Sequence, residues 1–471
     1  MIKSLKEHKF CLLIFFFSLL FVMYLGNPSN YYFLNDDFVH IPQAAELNFL
    51  NDSSFIRPVS NFSLWVDYII WGKDAYGYHL TNLIIHFVNV ILVFFTSKVL
   101  FRYFDDDNKF LLKSILSCTL FLVYAFHSES IFWILGRGSS LNTLFFLCSL
   151  LCFLKSQKSY LYFTLSLIFF SVGLFTYELI WVLPIIVTLL YIFQKIRTRL
   201  EFVIAIWISF ILFLLFKFFL LNQGVETYEL GAIKNLNLKA LFYNYNTLLA
   251  RSFLPPFDSS TLFLLFYLAL ISVLILVIFK WRNNHLILFS FFGIIISLLP
   301  AITLGIDTHD TESERFIYLA TFFVIIFIVE VFSKMQIKFL FVGMILLIFI
   351  HCILLQNAAT SYRFSSEVSR KSLECIGEGN QKITAINLPM QYKGALIFRK
   401  GFGEAVEWIL NGNKDSVTIY SQKDIFSKKV LFSCVEIELA ANNNSIIQSL
   451  SSNRIALYKQ KDINTILEWK W

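Results

Sequence analysis

Apolar residues along this chain fall in long unbroken blocks separated by short polar stretches, not in the alternation of half-buried strands. Crossing a hydrocarbon layer takes roughly 20 apolar residues. Blocks of about that size, bounded by charge or turn residues, lie near 10–25, 79–101, 111–126, 138–154, 160–176, 179–193, 202–221, 261–279, 286–304, 316–332 and 338–356, which predicts eleven spans. The first follows Lys3, Lys6 and Lys9 as a secretory signal would. It lacks an A-x-A-like cleavage site at Gly26-Asn27-Pro28 and reads as an uncleaved span. Beyond residue 356, Gly, Asn, Ser and charge return. Strand-like runs at 383–388, 395–399, 417–420, 430–439 and 455–458, with a helical pattern over 402–410, predict a small α/β soluble domain. The expected fold is a polytopic α-helical membrane domain over 1–356 followed by that α/β domain over 357–471, with no internal repeat.

Lys and Arg alternate from loop to loop. One side carries Lys3, Lys6, Lys9, Lys98, Arg102, Lys109, Lys113, Lys155, Lys158, Lys195, Arg197, Arg199, Lys280, Arg282, Lys334 and Lys338; the other carries Arg57, Lys73, Arg137, Lys234, Lys239, Arg251 and Arg315 before the tail. Cytoplasmic loops collect the excess, so this sixteen-to-seven split puts the N-terminus in the cytoplasm and, with an odd number of spans, the C-terminal domain outside. The outer side gathers acid instead: Asp36, Asp37, Glu129, Glu178, Asp307, Asp310, Glu312 and Glu314. Carboxylates hardly affect insertion, so their asymmetry points to chemistry.

Composition agrees with the pattern. Hydrophobic residues make up 57% of the 471, Phe alone accounts for 55, and charged residues are 15% against roughly 25% in soluble domains. Mean hydropathy is +0.67. No water-soluble surface can be built from that, and the net charge of +7 is spread over short loops without a basic stripe, which excludes nucleic acid as a partner. Seven Cys are too few for a disulfide framework. Five lie in apolar runs as small hydrophobes; Cys375 and Cys434 fall in the outer domain, where an oxidising compartment permits a bridge and two free thiols are the alternative.

The candidate chemistry lies on the outer side. Asp36 and Asp37 follow the first span among aromatics, where crowding and partial desolvation suit one carboxylate to general-base work; a solvated acidic turn is the competing reading. His79, Asn82, His86 and Asn89 share one face of the second span. The latter three read as hydrogen-bonded helix contacts, whereas His79 at the outer end is placed to reach a substrate. His127-Ser128-Glu129 and Gly136-Arg137 occupy the second outer loop, where an acid and a guanidinium can position an acceptor and clamp a phosphate, or form a structural ion pair. Glu178 sits at an outer interface, and Arg315 starts the tenth span, where it can snorkel or bind a lipid head group.

Asn35-Asp36-Asp37, Arg57-Pro58-Val59, Gly77-Tyr78-His79-Leu80 with Asn82 and His86, His127-Ser128-Glu129 through Trp133 to Gly136-Arg137, Glu178 with Pro184, and Glu314-Arg315-Phe316-Ile317-Tyr318-Leu319 come in an order that resembles the GT-C superfamily of integral-membrane glycosyltransferases. The likeness covers roughly residues 30 to 320 and is strongest to the protein O-mannosyltransferase-like branch that carries tetratricopeptide repeats. The repeats are absent, and the Asn387-Leu388-Pro389 and Gly394-Ala395-Leu396 motifs of the tail are similar to bacterial relatives. The chain also departs from the branch at Tyr124-Ala125, where His-Pro is usual, and at Tyr177, where a basic residue is usual.

The resemblance implies a bacterial inner-membrane enzyme that transfers a hexose such as mannose from a polyprenyl-phosphate donor to a hydroxyl of a protein or glycan acceptor, with inversion. Asp36 or Asp37 would be the base, Arg137 and Arg315 would meet the leaving phosphate, and His79, His127, Glu129 and Glu178 would position acceptor or sugar. No cofactor is expected. A divalent metal between Asp36, Asp37 and Glu129 is the alternative, disfavoured because adjacent carboxylates make a poor metal box. Two other functions compete: a transporter or flippase of a lipid-linked sugar, which calls for inverted repeats and broken spans, and a noncatalytic membrane scaffold.

Overall fold

The computed structural model describes residues 2–47, 57–104, 109–193, 199–221, 237–257, 259–334, 337–377, 382–386, 388–419, 422–424, 431–437, 454–461 and 463–470. Helices dominate it. The first half runs through α1 (Ile2–Leu25), the short α2 (Asp37–Ala45), α3 (Pro58–Trp71), α4 (Ala75–Phe104), α5 (Phe110–Val123), the single-turn α6 (Ser128–Phe132) and α7 (Arg137–Lys155). Each of the eleven apolar blocks falls on a helix. Six helices are long and apolar enough to cross a membrane, and α5 joined to the 125–132 stretch by a 56° bend makes a seventh. The other four expected spans fall on apolar helices whose described stretches run 10–17 residues, so the count of eleven rests on composition there.

The centre of the bundle is α5, buried at every residue from Leu112 to Val123. It packs against α1, α4, and the Tyr318–Ser333 and Ile337–Ile376 helices. At its Lys109 end, Lys113 donates to Glu330 at 3.0 Å, with Lys334 and Asn284 completing the Glu330 carboxylate at 3.0 Å each. The Leu200–Leu221 and Ser260–Phe279 helices behave oppositely. They are apolar all round and leave large side chains such as Leu212, Phe219, Leu264 and Leu268 exposed, as helices whose solvent is lipid do.

The Ile337–Ile376 helix runs 40 residues without a break. The composition change expected as a domain boundary at 356 therefore lies inside a helix that stays regular while its sequence turns polar. Beyond it, strand Lys382–Ile386 pairs in parallel with Val417–Ile419 and antiparallel with Arg454–Lys461. The hairpin partner Ile463–Lys470 and then Leu431–Ile437 complete a mixed five-stranded sheet. The predicted helix is present as Phe402–Leu410. The side chains of Cys375 and Cys434 lie outside the described residues, as do residues 425–430 and 438–453 of the expected tail.

Candidate active site

The Asn35-Asp36-Asp37 motif forms the turn that starts α2, and the turn gives its two carboxylates different surroundings. Asn35 adopts left-handed backbone with φ 49°, a region that Asn tolerates better than most residues. Asp37 then points inward. It is fully buried, and its carboxylate accepts from Leu34 N–H at 2.9 Å and Leu135 N–H at 3.3 Å. Burial pushes its pKa well above the ordinary carboxylate range, and these two bonds work against that rise. Asp36 sits at the helix N-terminus without using its side chain to cap it, and it lines a cavity of about 220 Å³. His40, one turn further along α2, lines the same cavity. Burial lowers the His40 pKa, against the pull of Asp36 and a contact to Gln43.

Three guanidiniums border this cavity and differ in how much of each is committed. Arg137 is 1% exposed; it donates to Asn82 Oδ1 at 2.8 Å, Ser63 O at 3.2 Å and Tyr78 O at 2.9 Å, and pairs with Asp67 at 2.6 Å. Asp67 balances its charge, and three of its N–H groups are bonded to α3 and α4. Arg57 instead forms a two-pronged bond to Glu178, 3.1 and 2.6 Å, with its guanidinium 3.9 Å from the centre of the Tyr177 ring. Burial disfavours its charge, and Glu178 outweighs this, holding the pKa above the ordinary Arg value. Arg315 pairs with Glu129, donates its backbone N–H to the same carboxylate at 2.9 Å, and lies 5.2 Å from the Trp133 ring centre. Arg57 and Arg315 keep 20% and 22% of their side chains exposed.

The remaining motif residues build the frame. Ser128 Oγ donates to Glu314 at 2.8 Å beside the Glu129–Arg315 pair, and Arg251 donates to Glu314 at 2.5 Å, so two dipeptides 186 positions apart lie side by side. Gly136 is required by close approach, since a Cβ there would stand 2.1 Å from the Glu129 carbonyl oxygen. Asn82 and Asn89 each donate at 2.8 Å to carbonyls near the start of α7, and His86 bonds Tyr318 Oη at 2.8 Å.

Of the residues singled out from sequence, Asp36, Arg137 and Arg315 line the cavity; Glu129 and Glu178 meet it through their arginines. Asp37 does not line it. Neither do His79, whose ring reaches Tyr32 O at 3.4 Å, nor His127, which bonds Thr321 at 2.7 Å among Phe121, Tyr124 and Tyr318. Substrate positioning by the two histidines is thus not supported, because burial has enlisted them in packing. Arg57, His40 and Tyr177 were missed as lining residues. The signal for His40 was its i, i+4 spacing from Asp36; Arg57 stood out only as part of the Arg57-Pro58-Val59 motif, with its partner 121 positions away. Among the described residues, no three His, Cys, Asp or Glu side chains converge where a metal could be held.

The frame is that of a helical membrane protein with a polar cavity bordered by Asp36, Arg57 and Arg315. No protein-family model matches the chain, and no solved structure does. It is similar in part to named proteins: 32% identical over 108 residues to a protein O-mannosyl-transferase of Caenorhabditis elegans, a match covering 23% of this chain and 15% of the relative. A protein O-mannosyl-transferase of Xenopus laevis is 28% identical over 134 residues, 27% of this chain and 14% of that one. One of Homo sapiens is 31% identical over 101 residues, 21% and 10%. The chain thus covers at most 15% of the length of these relatives.

Proposed function

We propose that this protein is a GT-C-type glycosyltransferase, working from the outer face of a bacterial inner membrane, that moves a hexose from a polyprenyl-phosphate donor to an acceptor hydroxyl. The observation that carries this reading is the convergence of Asp36, Arg57 and Arg315 on one cavity. Asp36 takes the proton from the acceptor hydroxyl, the oxygen attacks the anomeric carbon from the side opposite the phosphate, and the bond to the phosphate oxygen breaks with inversion. The lipid phosphate leaves with added negative charge. Arg57 and Arg315, rather than a metal ion, meet that charge, each held in place by its own carboxylate and still open to the cavity. Arg137 shapes the wall, being saturated by Asp67 and backbone carbonyls. The names of the partial relatives favour mannose and a protein hydroxyl as the transferred sugar and the acceptor.

The test is direct. Purified protein in nanodiscs, given a radiolabelled polyprenyl-phosphate hexose, should release polyprenyl phosphate and label an acceptor, and Asp36→Asn should not. A wild-type protein that moves the intact lipid-linked sugar between leaflets without cleaving it is a transporter instead.

A further inference from the structure

The turn that presents Asp36 is held by its own helix and also by a stretch of chain more than 350 positions away. Asn35 N–H donates to Ile397 O at 2.7 Å, and Asn35 Oδ1 accepts Lys400 N–H at 2.8 Å. Gly401 is left-handed, φ 79°, and a Cβ there would stand 2.4 Å from Asn35 O. Three backbone or side-chain groups of Asn35 are thereby fixed against residues 397–401. The aromatics beside them continue the contact, with Phe38 stacked on Phe398 at a centroid distance of 5.9 Å and Phe33 tilted against Trp408 at 4.9 Å. The left-handed backbone of Asn35 is costly to hold and persists where the surroundings over-determine it. Here the surroundings are the C-terminal segment.

We infer that residues 397–401, acting through Asn35, are positioning residues for Asp36, so that the C-terminal segment is part of the catalytic apparatus and not an appended binding module. The inference rests on the transferase reading above. Neither Asn35 nor Gly401 lines the cavity, so neither touches substrate; their effect is on where the carboxylate stands. A general base displaced by about 1 Å loses on the order of 100-fold in rate without a matching loss of substrate binding.

Full-length protein in nanodiscs carrying Gly401→Ala tests this. The added methyl pushes on Asn35 O; kcat should fall about 10- to 100-fold with donor KM unchanged. Gly403→Ala, whose methyl meets only Lys414 at 3.5 Å or more, is the control and should keep wild-type kcat. Wild-type kcat in Gly401→Ala, or a raised KM with kcat intact, overturns the inference. Should Gly401→Ala fail to accumulate, Asn35→Gly decides, because it keeps the left-handed backbone and deletes only the acceptor for Lys400 N–H; the same fall in kcat is expected and wild-type kcat overturns the idea. Hydrogen–deuterium exchange over residues 35–40 adds a readout independent of turnover. It should quicken in Gly401→Ala, and unchanged exchange counts against the clamp even if no donor is consumed. A wild-type protein without transferase activity sinks the transferase reading and leaves the exchange result to judge the clamp.

Discussion

Asp36 and Asp37 are neighbours whose substitutions should fail in different ways. Asp36→Asn keeps the size and removes the basicity, so activity should drop by ~10² to 10⁴-fold while thermal unfolding is unchanged. Asp37→Ala leaves the Leu34 and Leu135 N–H groups buried without an acceptor, at roughly 1–3 kcal/mol each, so it should appear as a lowered unfolding temperature and poor accumulation. If Asp37→Ala is stable but inactive and Asp36→Asn is active, the assignment is reversed. Arg315→Gln should impair donor use and strand Glu129, costing roughly 1–3 kcal/mol given that the arginine is partly exposed. Adding Glu129→Gln should return stability without returning activity. A double variant as active as wild type would remove Arg315 from the chemistry. The sequence makes the acidic pair conspicuous and cannot sort its members, because what separates them is one left-handed residue, Asn35. Arg137 misleads for a related reason: it is disarmed by Asp67, an acid inside α3 that no motif marks.

The apolar helices were readable from sequence because such elements need runs of roughly 20 apolar residues, whereas α2 and α3 fall outside those runs. The short turns around the cavity were not, since they are held by long-range bonds. At the Lys109 end of α5, Lys113 and Glu330 are 1% and 0% exposed, deep enough that losing one partner is severe. With Lys334 and Asn284 still on the Glu330 carboxylate, Lys113→Met alone should destabilise the protein by roughly 1–3 kcal/mol, and Lys113→Met with Glu330→Met should recover part of it. Thermal unfolding of the three proteins in one detergent measures the coupling. The 305–313 loop carries a second electrostatic feature. Burial raises the Asp310 pKa from 3.8 to about 6, so between those values the folded chain binds more protons than the unfolded one. The contribution of Asp310 to stability therefore falls as pH rises from 3.8 through about 6. Asp310→Asn, which keeps the acceptor for the Glu312 N–H, should raise the unfolding temperature at pH 7.5 and make little difference below pH 4. An equal effect at both pH values would contradict the shift.

At the scale of the whole molecule, the distribution of Lys and Arg predicts that the cavity end of the bundle faces away from the cytoplasm. A phosphatase fused after Trp471 should be active only outside the cytoplasm, and activity of a cytoplasm-only reporter at that point would invert the arrangement. The contact between Asn35 and residues 397–401 also sets a schedule. Ribosomes make residue 36 early and residue 401 after every apolar helix has been synthesised, so the turn that presents Asp36 waits longest for its partner. If the transferase reading holds, competence arrives only with this last stretch of the chain. A chain released at residue 380 would carry all of its apolar helices, and on the transferase reading its cavity would be inert.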